Sequence, residues 1–232
     1  MIVTTQWIEI DSPEGKFGAY LAIPHTQKGP GIVLIQEIFG VNEHIRSVAE
    51  QYAADGYLVI APDLFWRSGP RIELGYDEAG WKRAVELMNA TDVNAAQADI
   101  KLAIDALQAQ PGLDGGIASI GYCFGGLLSY LTAANGFVDV AIAYYGGGIQ
   151  NHLERADEIE VPLLMHFGEA DSHISLEAVE KIAERFDTND NVEIVVYPEA
   201  EHGFNCSHRE SYNQRASVEA HGNTLIFLGM EL

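Results

Sequence analysis

Residues 117–126 read Ile117-Ala118-Ser119-Ile120-Gly121-Tyr122-Cys123-Phe124-Gly125-Gly126. An apolar run over 117–120 reads as a buried strand, and Phe124 to Ala134 reads as a helix stopped by Asn135-Gly136. Between them sits G-x-C-x-G, the strand–turn–helix pattern G-x-S-x-G with a cysteine in the serine's place. The turn is so tight that side chains at its glycines would collide with neighbouring elements. It also holds the central residue in a strained conformation, lifted out of the sheet. A helix N-terminus behind that residue favours negative charge, and so favours a thiolate over a thiol.

Outward from this turn, strand and helix signals alternate in both directions. Upstream, Val3–Ile10 and Phe17–Ile23 read as two strands around the turn cluster Asp11-Ser12-Pro13-Glu14-Gly15. Gly31–Ile35 and Tyr57–Ala61 read as continuous apolar runs of the kind buried on both faces. Helices are expected over Glu43–Ala54, Glu78–Asn89 and Val93–Gln108, with Leu64–Tyr76 irregular. Downstream, strands are expected over Val138–Tyr144, Val161–Phe167 and Val192–Tyr197, with helices over Leu176–Phe186 and Tyr212–Leu228. Such alternation implies an α/β class: a mostly parallel central sheet with helices on both faces. No linker, repeat or low-complexity tract interrupts it, so residues 1–232 are expected to form a single domain.

Bulk composition narrows the function classes. Thirteen basic against 34 acidic residues give a formal net charge of -21. That field repels phosphate backbones and anionic lipid, so neither nucleic acid nor a membrane is an expected partner. Two cysteines, Cys123 and Cys206, make no disulfide framework in a chain of 232 residues. Met1–Gln6 lacks the basic and apolar regions of a secretion signal, and no apolar run approaches the roughly 20 residues of a membrane span. A reducing cytoplasm is expected, with the chain a monomer or small homo-oligomer.

A nucleophile needs a base and an orienting acid. In this fold they follow in the order nucleophile, acid, base, each on a loop after a later strand. The strand signal ending at Phe167 is followed by Gly168-Glu169-Ala170-Asp171, and the one ending at Tyr197 by Glu199-Ala200-Glu201-His202-Gly203-Phe204. Asp171 and His202 therefore fall at carboxyl ends of strands, where open parallel sheets gather their sites. His202 is the expected base toward Cys123 or water, and Asp171 the group that fixes its tautomer. Among the other histidines, His25, His44, His152, His208 and His221 read as surface residues and His166 as core, while His173 borders the site. No helix carries two ligands at metal spacing, so neither metal nor cofactor is expected.

These residues together resemble the dienelactone hydrolase (carboxymethylenebutenolidase) family of α/β-hydrolases over nearly the whole chain. The resemblance rests on Gln36-Glu37-Ile38-Phe39-Gly40-Val41-Asn42, Ala61-Pro62-Asp63-Leu64, Gly121–Gly126, Tyr144-Tyr145-Gly146, Gly168–Asp171 and His202-Gly203-Phe204. It implies an α/β-hydrolase fold in which Cys123, His202 and Asp171 open a small ester or lactone through an acyl-thiol intermediate. It gives Glu37 the part of the carboxylate that contacts the resting thiol, and the backbone N–H groups of Phe124 and Ile38 that of the oxyanion hole. Trp81, Phe39, Tyr145 and Cys206 become candidate substrate contacts. The chain departs from the family where arginines would bind a substrate carboxylate. Asn205-Cys206 follows the His-x-Phe segment, and Trp81 stands where the second arginine is expected. Loss of such clamps implies a neutral or more apolar ester or lactone. The alternative is a non-catalytic ligand-binding or sensor protein on the same fold.

Overall fold

The computed structural model describes residues 2–232. Its chain forms two compact units, the first reaching Ala118 and the second spanning Ser119–Leu232.

The first unit opens on a hairpin. Strands β1 (Thr4–Ser12) and β2 (Gly15–Ile23) pair antiparallel, with Ser12 opposite Gly15. Gly15 takes φ +149°, a value open to glycine, and this lets the chain reverse over Pro13-Glu14. β2 pairs antiparallel with β4 (Leu58–Pro62), and β4 pairs parallel with β3 (Gly29–Ile35) through Ile32 opposite Val59. The parallel pair needs a crossover, which helix α1 (Glu43–Ala54) supplies. Asn42 caps α1 by accepting from the Ile45 N–H. Helices α2 (Glu78–Ala90) and α3 (Val93–Gln108) follow, capped in the same way by Asp77 and Asp92. The strands stand in the order β1-β2-β4-β3-β5. His44, expected on the surface, is buried on the inward stripe of α1 with Ile45, Val48 and Tyr52.

Strand β5 (Leu113–Tyr122) continues into the second unit and heads the order β5-β6-β7-β8. Here β6 (Val140–Tyr144), β7 (Leu163–Gly168) and β8 (Val192–Tyr197) pair parallel, with Tyr144 opposite His166 and His166 opposite Val195. Helix α4 (Phe124–Ala134) follows β5, and all eleven of its residues are buried. That explains a sequence apolar on every side, since only a helix with no solvent face tolerates it. Helix α5 (Leu176–Phe186) leads from β7 to β8, and α6 (Gln214–Glu231) ends the chain. Two 3-10 turns, Ile149–Asn151 and Leu153–Glu158, occupy the connection after β6. The α6 start falls two residues later than its sequence suggests, because the Asn213 side chain accepts from the Ala216 N–H and fixes the cap. Among the described residues no helix is long and apolar enough to cross a membrane.

Candidate active site

The turn after β5 has the conformation its sequence demands. Cys123 stands at φ 56°, ψ -114° as the residue before α4, a region costly for any residue with a Cβ. A Cβ on Gly121 would lie 1.8 Å from the Gly125 carbonyl oxygen, and one on Gly126 would lie 2.7 Å from that of Tyr144. The glycines therefore let the strand end and the helix start approach. The Cys123 N–H donates to Tyr144 O at 3.0 Å, which ties the turn to the end of β6. The ties continue across the strand ends. Tyr145 N donates to His166 O at 2.7 Å, Glu169 N to Tyr197 O at 2.9 Å, and Ala170 N to Ala200 O at 3.0 Å. Four loops are thus fixed to one another by main-chain bonds before any side chain is considered.

On that frame three side chains meet. His202 Nε2 lies 3.1 Å from Cys123 Sγ, and His202 Nδ1 lies 2.9 Å from Asp171 Oδ2. The other carboxylate oxygen, Asp171 Oδ1, accepts from the N–H groups of His173 (2.8 Å) and Ile174 (2.9 Å). Asp171 and His202 are buried, whereas Cys123 retains partial exposure. Burial works against charge at His202, yet the Cys123 charge and the Asp171 hydrogen bond prevail and push it up to about 10. Burial would likewise raise Asp171, but the His202 hydrogen bond and charge and the two backbone donors hold it below the usual carboxylate range. A site of this kind favours an imidazolium at neutral pH, with a carboxylate on one side and a sulfur within reach on the other.

The His202 ring is also bounded by rings. Tyr145, fully buried and held at φ 37°, meets it edge-on at 5.1 Å between centroids. His173, an exposed residue, meets it at 4.9 Å and 77°. Neither contact follows from spacing, since each depends on how two loops fold; only the closeness of His173 to Asp171 in sequence hinted at it. Arg209 packs against the next residue, because a Cβ on Gly203 would fall 2.3 Å from its Nη1.

Among the other expected site residues, Glu37, Ile38, Phe39 and Trp81 lie in the first unit. Glu37 is wholly buried two residues past the end of β3, and its Oε2 accepts from the Tyr76 hydroxyl at 3.1 Å. Tyr76 had no distinguishing sequence signal. Phe39 lies between Tyr76 (4.4 Å, tilted by 54°) and Trp81 (5.9 Å, tilted by 47°); Phe39 is buried, and Trp81 is 37% exposed. Ile38 is buried beside them in sequence. Tyr145 and Cys206 have no exposed surface, so a ligand would meet neither without movement. Phe124 is the first residue of α4, so its N–H has no acceptor within the helix. Lys82 is exposed, and Arg83 is paired with Glu86 at 3.1 Å. The ligand-type atoms of Cys206 and His208 lie within 4.8 Å of each other, Cys206 buried and His208 exposed.

Residues 17–232 match the sequence profile of the dienelactone hydrolase family. The carboxymethylenebutenolidase of Pseudomonas sp. (strain P51) is 35% identical over 226 residues, which cover 97% of this chain and 94% of that protein. Carboxymethylenebutenolidase 1 of Cupriavidus pinatubonensis is 35% identical over 225 residues, 96% of each chain. A solved structure from Klebsiella pneumoniae, assigned as a dienelactone hydrolase, superposes with a TM-score of 0.86 at 30% identity and covers 99% of both chains. With an α/β-hydrolase architecture and a match running from Phe17 to the last residue, the chain belongs to the dienelactone hydrolase family.

Proposed function

We propose that this protein is a cysteine-dependent hydrolase of small esters or lactones, working in a reducing cytoplasm. The observation that carries the reading is the line from Cys123 Sγ through His202 to Asp171, at 3.1 and 2.9 Å. Family membership supports the ester or lactone class.

The chemistry proceeds in two halves. The Cys123 thiolate attacks the substrate carbonyl carbon, and the oxyanion accepts a hydrogen bond from the Phe124 N–H. The C–O bond to the leaving group then breaks, and that oxygen takes the proton from His202 Nε2. A thioester remains on Cys123. Water attacks it, passes a proton to His202 and expels the thiolate, so the acid leaves and the resting pair returns. Asp171 keeps the imidazole oriented through both halves. Ile38 and Glu37 keep in this proposal the parts given by the family resemblance, second oxyanion donor and partner of the resting thiol. A lactone differs only in that the leaving oxygen stays tethered to the product.

Substrate preference follows from what replaces the arginine clamps. Trp81 brings an uncharged indole, tilted against Phe39 at 5.9 Å, so a neutral, flat or apolar ester is favoured over a carboxylate. The test uses p-nitrophenyl acetate and a dienelactone with wild type and Cys123→Ala. Cys123→Ala is expected to lose at least about 10³-fold in rate, and full retention by this variant would sink the mechanism. If instead wild type turns over neither substrate and iodoacetamide labels Cys123 slowly, the sensor reading stands in its place.

A further inference from the structure

His202 carries two neighbours that its proposed role does not use, Tyr145 on one side and His173 on the other. Tyr145 is sealed in the core, whereas His173 is exposed. The His173 position is built rather than incidental. Its N–H is one of two held by Asp171 Oδ1, so the turn that orients Asp171 also sets where the His173 ring starts. The ring then meets His202 edge to face at 4.9 Å and 77°.

We infer that His173 is a positioning residue for His202: neutral, it holds the outer side of the catalytic imidazole, and protonated, it displaces the acid limit that His202 itself imposes on acyl-enzyme hydrolysis. This rests on the Cys123–His202 reading above. A positive charge about 5 Å from His202 makes that ring a poorer proton acceptor. Hydrolysis of the thioester needs acceptance: water gives its proton to His202 Nε2 as its oxygen bonds to the acyl carbon and the C–S bond breaks. Leaving-group protonation in the first half gains from the same change, so the two halves respond oppositely.

The groups around His173 determine where it titrates. Burial against the site lowers its proton affinity, as do the His202 and Arg209 charges, while Asp171 and Glu201 act in the other direction. The net displacement is downward, so His173 is neutral at pH 7 and charges as the solution is acidified.

The experiment follows acyl-enzyme hydrolysis, the phase after the p-nitrophenol burst, from pH 4.5 to 8 in wild type, His173→Gln and His173→Lys. Gln is neutral throughout, so its acid limb should be that of His202 alone, displaced from the limb of wild type. Lys is charged throughout, so at pH 7.5 it should hydrolyse the thioester roughly fivefold more slowly than Gln, with the burst itself not slowed. A merely structural role would change both halves alike and leave the pH profile where it was. Equal acid limbs in wild type and His173→Gln would overturn the inference. If either variant fails to fold, wild type is read by histidine NMR: the His202 resonances must shift as His173 titrates, and their indifference would equally overturn it. Activity surviving in Cys123→Ala would instead show that the function reading had failed first.

Discussion

A cysteine at φ 56° is held there by its surroundings, and glycines on either side make that possible. Gly121→Ala should therefore be far more damaging than an ordinary buried substitution. The added carbon would lie 1.8 Å from main chain that cannot yield, and both thermal stability and p-nitrophenyl acetate turnover should fall sharply, read by a melting curve and an assay. Asp171→Asn separates orientation from packing: the size is kept, but the acceptor for the charged imidazole weakens. Turnover should drop by about 10³-fold or more, with the melting temperature much less affected. Cys123, Asp171 and His202 were legible in the sequence because each sits in a local pattern, a glycine turn or a loop after an apolar strand. Tyr145 and His173 were not legible as neighbours of His202, since a ring-on-ring contact is written in no spacing. The burial of Tyr145 makes it a support for the imidazole more than a wall for substrate.

The strands and helices are bound by a polar knot. His166 on β7 is fully buried, with Nδ1 2.9 Å from the Tyr197 hydroxyl on β8 and Nε2 3.0 Å from Thr224 Oγ1 on α6. Tyr144 on β6 reaches the same Thr224 oxygen at 2.7 Å, and Asn223 donates to Tyr197 at 3.0 Å. Burial lowers His166 to about 3, below its unfolded value, so the native state keeps it neutral while an unfolded chain takes up a proton. Its contribution to stability is complete above pH 6.5 and is lost progressively as pH falls toward 3. Between pH 7 and 5 the loss should be about 2 kcal/mol, seen in urea unfolding. His166→Gln should flatten that dependence even though it lowers stability overall. Most element bounds were readable from apolar periodicity and caps. The 3-10 turns of residues 149–158 were not, because so short a turn offers no repeating apolar face.

For the molecule as a whole, a net charge of -21 surrounds whatever approaches the site. A substrate bearing a carboxylate should be repelled at low salt, so its kcat/KM should rise roughly twofold or more from 0.01 to 0.5 M NaCl. A neutral ester of similar size should show no such trend. An equal response from both would remove the electrostatic argument. The α/β class was legible because alternating buried strands and helices admit few arrangements. The order of the site residues along the chain also bears on biosynthesis. Cys123 precedes His202 by 79 residues, so at about 5–20 residues per second a nascent chain carries the thiol for some 4–16 s before that histidine is made. During that interval the cysteine is expected to react as an ordinary thiol. Ribosome-arrested chains ending before His202 should accordingly alkylate at Cys123 more slowly than finished protein, and equal rates would mean that the turn alone activates the sulfur.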